Sequence, residues 1–367
     1  MMINEFSNSL HLLGSSHQIA DMAARERLSL PPEKIDDFYN GLKNLPGLDE
    51  CLLLNTCNRT EVYGASHSSF SPQVLQQYLG EFCKIESEFL KRYCYQHSGE
   101  KVVEHLFGVA SGVDSQMVGE TEILGQVKKA YDDACVRNTS GKILNRLFQK
   151  GFQAAKWART NTGISRGQVN LGNVLCELSR RIFGKISNCR LLVVGSGDVA
   201  ESAMEAFKSR GSQAITITGR TFDWCPLSRR KPDELAEKYE AFALSFSQLK
   251  KSLHLFDVIL TSTASGQALI NLEDILSCMK KRPAKPLFLI DAAVPRNIEE
   301  TVAKAENVFL YNMDDVSEIA NENLKTRMAE VDRCKTALSQ RALRLWEQMS
   351  DYSNPPSSIT QSINPQS

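Results

Sequence analysis

The residues of this chain best suited to chemistry surround a single thiol. The segment Cys51 to Tyr63 reads CLLLNTCNRTEVY. Its apolar run, Cys51 to Leu54, predicts a short buried strand. The run breaks into Asn55-Thr56-Cys57-Asn58-Arg59-Thr60-Glu61, and a second short strand follows at Val62 and Tyr63. A thiol between two strand ends has a rigid support and an open side, which is how a nucleophile is held. Arg59 can lower the pKa of Cys57, or grip a carboxylate with its two-pronged fork. Thr56 and Asn58 can donate hydrogen bonds to a developing oxyanion. The competing reading is a small buried structural cysteine, the commoner fate of a single thiol.

Three other stretches carry chemistry. His105 lies in an expected helix that ends before Gly112. A histidine there becomes an acid or base only if the fold brings it near Cys57. The run Ser111 to Gln126, SGVDSQMVGETEILGQ, is broken by glycines and rich in Asp114, Ser115, Gln116, Glu120, Glu122 and Gln126; taken alone, it reads first as a solvated helix start. From Ala134 to Cys176 there is no Asp or Glu, while Arg137, Lys142, Arg146, Lys150, Lys156, Arg159 and Arg166 fall inside that window. Arg146 and Lys150 are expected to share one helix face, as are Lys156 and Arg159. Phosphate contact is the functional reading of that surface; a solvated face paired with acids elsewhere is the other.

A nucleotide site is written between Cys189 and Thr221. CRLLVV (189–194) is an apolar strand, followed by Gly195-Ser196-Gly197-Asp198-Val199-Ala200, a helix to Lys208, and a second strand from Ala214 to Thr218. In this strand, turn, helix, strand frame, G-x-G-x-x-A is a dinucleotide fingerprint. Gly195 permits the tight turn, Gly197 admits the pyrophosphate, and Ala200 fills the small third position. The second strand runs into Gly219-Arg220-Thr221 rather than an acidic residue. A guanidinium and a hydroxyl suit a 2′-phosphate, so NADP(H) is expected over NAD(H).

These groups need elements to position them. Residues 10 to 66 predict a small α+β sheet backed by helices on one face, and residues 100 to 160 are mostly helical. Further strands at 257–260 and 287–290 run into Thr261-Ser262-Thr263-Ala264 and Ala293-Val294-Pro295-Arg296, giving a doubly wound domain over roughly 170 to 310. From Met313 to Met349 apolar residues recur every three or four positions without Gly or Pro. That predicts one amphipathic helix of roughly 55 Å, which must bury its stripe along another domain or another chain. The tail from Ser350 is expected to be disordered. The fold class is thus multidomain α/β, divided as 1–160, 161–310, 311–349 and 350–367.

Composition narrows the class. A chain of 367 residues with zero formal net charge has no global attraction to nucleic acid, so any such contact is local. Ten cysteines without a C-x-x-C pair, and six scattered histidines, lead us to expect no metal. No basic-then-apolar start and no membrane-length apolar run lead us to expect a cytoplasmic protein without a signal peptide or membrane segment.

A nucleophilic thiol, a nicotinamide site and a basic surface together suggest an acyl group delivered on a polyanion and reduced through a thioester. The chain resembles the glutamyl-tRNA reductases from Leu12 to about Leu345. The markers are LLLNTCNRTEVY (52–63), the His105 helix, ASGVDSQMVGETEILGQVKKAY (110–131), the segment from Gln149-Lys150 to Arg166, GSGDVA (195–200), STAS (262–265) and DAAVPR (291–296). The resemblance implies that Cys57 attacks the ester of glutamyl-tRNA and that NADPH reduces the thioester to glutamate-1-semialdehyde. It implies that Thr56, Asn58, Arg59, Ser115, Glu120, Thr121, Glu122 and Gln126 hold the glutamyl group, and that His105 assists. Gly195 to Ala200 then hold the cofactor. It also implies a homodimer through the long helix and delivery of the aldehyde to glutamate-1-semialdehyde aminomutase.

Four features differ from the family pattern. Glu122 stands where Gln is more usual, Ser16 to Ala20 lack Lys-Thr-Ala-Pro after the histidine, and the loop Asp223 to Pro232 is unusual. The region after the long helix is short, so a shortened dimerisation region is expected. Two other readings remain at this point. One is an NADP-dependent dehydrogenase of a free small molecule, similar to shikimate dehydrogenase. The other is a non-catalytic tRNA-binding relative.

Overall fold

The computed structural model describes residues 10–66, 70–164, 170–219, 232–263, 265, 267–321 and 328–351. Four strands, β1 (Leu10–Ser16), β2 (Glu50–Asn55), β3 (Arg59–Ala65) and β4 (Tyr95–Ser98), form an antiparallel sheet in the order β2-β3-β1-β4. Seven helices surround it: α1 (Met22–Leu28), α2 (Ile35–Lys43), α3 (Pro72–Cys83), α4 (Ser87–Tyr93), α5 (Glu100–Ser111), α6 (Glu122–Val136) and α7 (Lys142–Asn161). Leu10, Leu12, Leu52, Leu54 and Tyr63 pack into a core with α5, α6 and α7. Leu13, Cys51, Leu53 and Val62 pack into another with α1 to α4. Helices therefore cover both faces of the sheet, not the single face expected. The reason is in CLLL: consecutive apolar residues point to opposite faces, so both must be dry. β3 also begins at Arg59, three residues earlier than the apolar pattern indicated. Arg59 and Glu61 are thus strand residues with fixed directions.

Glu50 ties this sheet to α7. Its carboxylate accepts from the backbone N of Ile143 at 3.0 Å and of Leu144 at 2.7 Å. Gly141, the residue before the helix, has no side chain to do so, and a capping bond of this kind contributes about 1 kcal/mol.

Six parallel strands build the second sheet: β5 (Leu191–Val194), β6 (Ile215–Thr218), β7 (Phe242–Ala243), β8 (Val258–Thr261), β9 (Leu287–Asp291) and β10 (Val308–Asn312). Their order is β10-β9-β8-β5-β6-β7, so the winding reverses between β5 and β8. Ligands of doubly wound sheets bind in the crevice at that reversal. Helices α8 (Leu171–Phe183), α9 (Asp198–Ser209) and α10 (Pro232–Tyr239) pack on one face. Helices α11 (Leu249–Ser252) and α12 (Leu272–Lys280) pack on the other.

The expected long helix is described as two, α13 (Met313–Asn321) and α14 (Met328–Asp351); continuity across 322–327 lies outside the described residues. The two parts bury their stripes in different cores. Met313, Val316 and Ala320 of α13 join the nucleotide sheet, which therefore extends past residue 310. Val331, Cys334, Leu338, Ala342, Leu345 and Met349 of α14 join the core of α5, α6 and α7. Each large apolar side chain so buried contributes about 1.5–3 kcal/mol. The stripe of α14 is thus covered by its own chain. Residues 352–367 lie outside the described residues, while Ser350 and Asp351 still belong to α14. Among the described residues no helix is long and apolar enough to cross a membrane.

Candidate active site

Cys57 stands between β2 and β3 on a loop closed by Thr56. The Thr56 N–H donates to the Arg59 carbonyl at 2.8 Å, and its Oγ1 accepts from the N–H of Asn58 and of Arg59, both at 3.2 Å. That hydroxyl also points at the Arg59 carbonyl at 3.4 Å. Thr56 therefore shapes the loop and is not a free oxyanion donor. Asn58 spends its amide oxygen on Arg25 Nη1 at 2.8 Å. Its Nδ2 donates to no protein group among the described residues.

Arg59 is also committed. Its guanidinium donates to Glu61 Oε1 and to the Asp114 carbonyl, each at 2.7 Å. Glu61 is fully buried and also accepts from Tyr63 at 2.7 Å, Tyr95 at 2.5 Å and His105 Nε2 at 2.9 Å. Burial alone would push the Glu61 carboxyl up; the charge of Arg59, aided by His105 and the hydroxyls, holds it far below the usual range. Gly14 makes room for this cluster, since a Cβ there would lie 2.7 Å from Glu61 Cγ and 3.1 Å from Tyr95.

The cation that acts most strongly on Cys57 is Arg25; of the two roles the sequence offered Arg59, that favours the grip on a carboxylate. Arg25 Nη1 lies 3.3 Å from the Cys57 carbonyl oxygen. Burial and the charge of Glu120 push the Cys57 thiol up to about 11, with Arg25 opposing. Arg59 is paired with Glu61 and is not among the leading charges on the thiol. Glu120 is itself pushed up to about 7 by burial and Glu122, with Ser115, Arg59 and Arg159 opposing. His17, burdened by burial and by Arg59 and Arg25, is pushed down to about 4 and is neutral at physiological pH.

A cavity of about 20 Å³ adjoins the thiol, and Thr56, Asn58, Arg59, Ser115, Glu120, Glu122 and Gln126 help line it together with Cys57. Three residues of the nucleotide half, Leu171, Val199 and Met313, complete the wall. Thr121 is not part of this lining; its carbonyl accepts from Arg159 at 3.2 Å. Neither is His105, which lines a separate recess of about 290 Å³ with His97, Lys101, Asp114 and Lys335. Its link to the thiol runs through Glu61 and Arg59. The sequence reading missed Arg25, Glu61 and Asp314 as members of this site. The carboxylate at 61, directly before the apolar Val62 and Tyr63, was the available signal.

The nucleotide turn follows β5. Gly195 has φ +124°, and a Cβ there would meet the Ser262 carbonyl at 2.7 Å. Gly197 precedes α9, and a Cβ there would meet nothing within 4 Å, leaving open space over the helix N-terminus. Ser196 is part-exposed, Asp198 exposed, Val199 part-buried and Ala200 buried. Thr218 Oγ1 and Ser262 Oγ are buried with no protein partner among the described residues. Open backbone and unpaired hydroxyls at the strand ends fit a dinucleotide. Arg220 and Thr221 lie outside the described residues, as do most of the loop 223–232, Ala264 of STAS and Arg166.

The DAAVPR segment braces the crevice. Asp291, at the end of β9, accepts from the N–H of Asn297 at 2.7 Å, of Ile298 at 2.8 Å, and from Thr261 at 2.9 Å. Asn297 Oδ1 in turn accepts from the N–H and hydroxyl of Thr263, both at 3.0 Å. Burial pushes the Asp291 carboxyl up to about 6 against these donors.

The acid-free stretch divides by direction. Arg137 pairs with Asp36 at 2.7 Å, and Arg159 turns inward to Thr121. Lys142 and Lys156 are exposed, and Lys150 is part-exposed. Lys156 and Arg159 thus do not act as one surface pair.

The profile described as Glutamyl-tRNAGlu reductase, N-terminal domain, matches residues 13–162, and that of Shikimate / quinate 5-dehydrogenase matches residues 177–319. Glutamyl-tRNA reductase of Trichlorobacter lovleyi is 34% identical over 337 residues, 92% of this chain and 76% of that protein. That of Oleidesulfovibrio alaskensis is 36% identical over 327 residues, 89% and 71% of the two chains. The solved structure of the Methanopyrus kandleri glutamyl-tRNA reductase is 30% identical, with a TM-score of 0.50 over 94% of this chain and 81% of its own. A cysteine loop and a nucleotide crevice sharing one cavity wall, and relatives spanning both halves, place this chain in the glutamyl-tRNA reductase family.

Proposed function

We infer that this chain reduces glutamyl-tRNA(Glu) to glutamate-1-semialdehyde with NADPH, releasing tRNA, in the first step of the five-carbon route to tetrapyrroles. The observation that carries the reading is the single cavity shared by Cys57 and Val199 of the nucleotide turn. An acyl group on that sulfur lies against the cofactor loop.

In the proposed mechanism the Cys57 thiol gives its proton to Glu120, whose carboxyl titrates near neutrality. The sulfur adds to the ester carbonyl, and Asn58 Nδ2, which donates to no protein group among the described residues, is the donor offered to the oxyanion. The C–O bond to the tRNA ribose breaks, its oxygen takes the proton back from Glu120, and a thioester remains on Cys57. NADPH, when bound, supplies the hydride that reduces this thioester to the aldehyde. The C–S bond breaks, and Arg25 stabilises the departing thiolate until it is reprotonated. Ser115, Glu122 and Gln126 orient the glutamyl group within the cavity, while Arg59 offers it Nε, which has no partner among the described residues. His105, through Glu61, keeps Arg59 in place, so its role is to position rather than to touch. Gly195 to Ala200 cradle the cofactor, and Arg220 with Thr221 select its 2′-phosphate.

The tRNA body rests on the outward lysines 142, 150 and 156. A homodimer would use the outward face of α14, where Met328 and Leu343 are 46% and 42% exposed, because the apolar stripe is already covered. Handing the aldehyde to an aminomutase, and a cytoplasmic location, complete the reading. A dehydrogenase of a free small molecule is not favoured, since the shikimate-type match is confined to residues 177–319.

The test is to incubate the protein with radiolabelled glutamyl-tRNA and no cofactor, then map the label. The expected result is glutamate on Cys57, absent from Cys57→Ser, which also loses reduction by roughly a thousandfold or more while binding NADPH normally. Near-normal turnover in Cys57→Ser would sink the thioester route.

A further inference from the structure

Beside the thiol a carboxylate joins the two halves of the molecule, in addition to the Glu26–Arg296 ion pair, the bond from Ser29 to the Val294 carbonyl and the bond from Ser202 to Glu122. Asp314 stands in the first turn of α13, where its N–H donates to Asn312 Oδ1 at 2.7 Å. Its Oδ1 accepts from Arg25 Nη2 at 2.5 Å and from Gln116 Nε2 at 2.6 Å. Arg25 reaches on to Asn58 and the Cys57 carbonyl, and Gln116 lines the cavity. Asn321, on the same helix, donates to the Gln116 carbonyl at 2.7 Å. One helix of the nucleotide half therefore holds both segments that flank the sulfur.

Two features make this junction releasable. The Arg25 side chain is 4% exposed, whereas that of Asp314 is 40% exposed. Asp314 regains water on leaving, while the buried Arg25 keeps only the neutral Asn58 and Cys57 carbonyl, which favours re-engagement. The cavity of about 20 Å³ holds about one water, far less than a glutamyl group needs. Met313, next to Asp314, is part of the wall that fills it. Withdrawing Met313 to admit substrate withdraws Asp314.

Building on the reductase reading, we propose that Asp314 is a positioning residue, the releasable half of a latch. Released, it leaves Arg25 to the Cys57 loop for acyl transfer. Engaged, it seats Val199 and Met313 against the acylated sulfur for reduction. The charged groups facing Cys57 are Arg25 of α1, Glu120 before α6, Glu122 of α6, Asp314 of α13, and Arg59 of β3, which is tied to Glu61. Asp314 opposes the thiolate and Arg25 favours it, so losing the aspartate charge makes the thiol more acidic.

The experiment uses the full chain and three variants, Asp314→Asn, Asp314→Glu and Asn321→Ala. Iodoacetamide labelling of Cys57 is followed across pH with no tRNA or cofactor. Single-turnover runs with glutamyl-tRNA separate thioester formation from aldehyde formation. In Asp314→Asn we expect labelling about fivefold faster near neutrality, with its midpoint moved to lower pH. Acyl transfer is expected to be as fast or faster, and aldehyde formation from the preformed thioester about tenfold slower. Asp314→Glu should restore much of both, and Asn321→Ala should show the slower reduction in milder form. Unchanged labelling and rates, or a parallel loss of both partial reactions, would overturn the latch. Labelling needs no substrate, so it decides the latch even if the parent never forms a thioester, a result that would instead overturn the reductase reading.

Discussion

The loops at Cys57 and Gly195 both leave the end of a buried strand, yet they are held by different means. The Gly195 turn is a backbone object: one positive φ, one open glycine and a helix N-terminus, all within six residues of sequence. The Cys57 loop is a side-chain object. Arg25, Glu120 and Asp314 come to it from three separate segments, and their charges set its thiol. The first kind of loop fails through shape and the second through charge balance.

Four variants sharpen that contrast. The largest effect is expected from Glu61→Ala, which leaves the Arg59 guanidinium buried and unpaired. The cost is about 3–5 kcal/mol, read as a lower urea midpoint. The sign with pH follows from the lowered carboxyl: its stabilisation is present above the ordinary value of 4.5 and is lost as pH falls further toward the folded value. The parent should therefore weaken in acid, and the variant should show less of that dependence. Next, Gly195→Ala meets the Ser262 carbonyl and a forbidden φ, and should weaken NADPH by roughly tenfold or more in a fluorescence titration, with Cys57 labelling unchanged. Changed labelling would mean that the two loops are not independent. Glu120→Gln removes a charge that raises the thiol, so the midpoint of Cys57 alkylation should move to lower pH, while acyl transfer slows. The smallest effect is expected from Lys150→Glu with Lys156→Glu, a several-fold weaker tRNA affinity with a flatter salt dependence. Binding indifferent to both would return those lysines to plain solvation.

The same contrast explains what could be read in advance. The strand, glycine turn and helix around Gly195 were legible because each part depends on its sequence neighbours. The polar run containing Glu120 and Gln126 was legible as composition, and its partner loop around Cys57 as a pattern. Arg25 was not, because an arginine in a short helix looks like any solvated charge until β3 brings Asn58 to it. Only part of the role of Arg59 was legible, for the converse reason: its tie to Glu61 depends on Gly14 leaving room from another strand. The stripe from Met313 to Met349 has one helical period, but period alone does not say that two cores divide it.

That division has a mechanical consequence. The polypeptide passes from the cysteine half to the nucleotide half after α7, and returns before α14. Gly163, just after α7, donates its N–H to Glu330, in the first turn of α14, at 2.8 Å. The last described residues before the outgoing crossing and the first turn after the returning one are therefore clasped to each other on the cysteine half. Two tethers rooted at one clasp give the nucleotide half a common pivot there, and the pairs Arg25–Asp314 and Glu26–Arg296 decide whether the crevice edge can move about it.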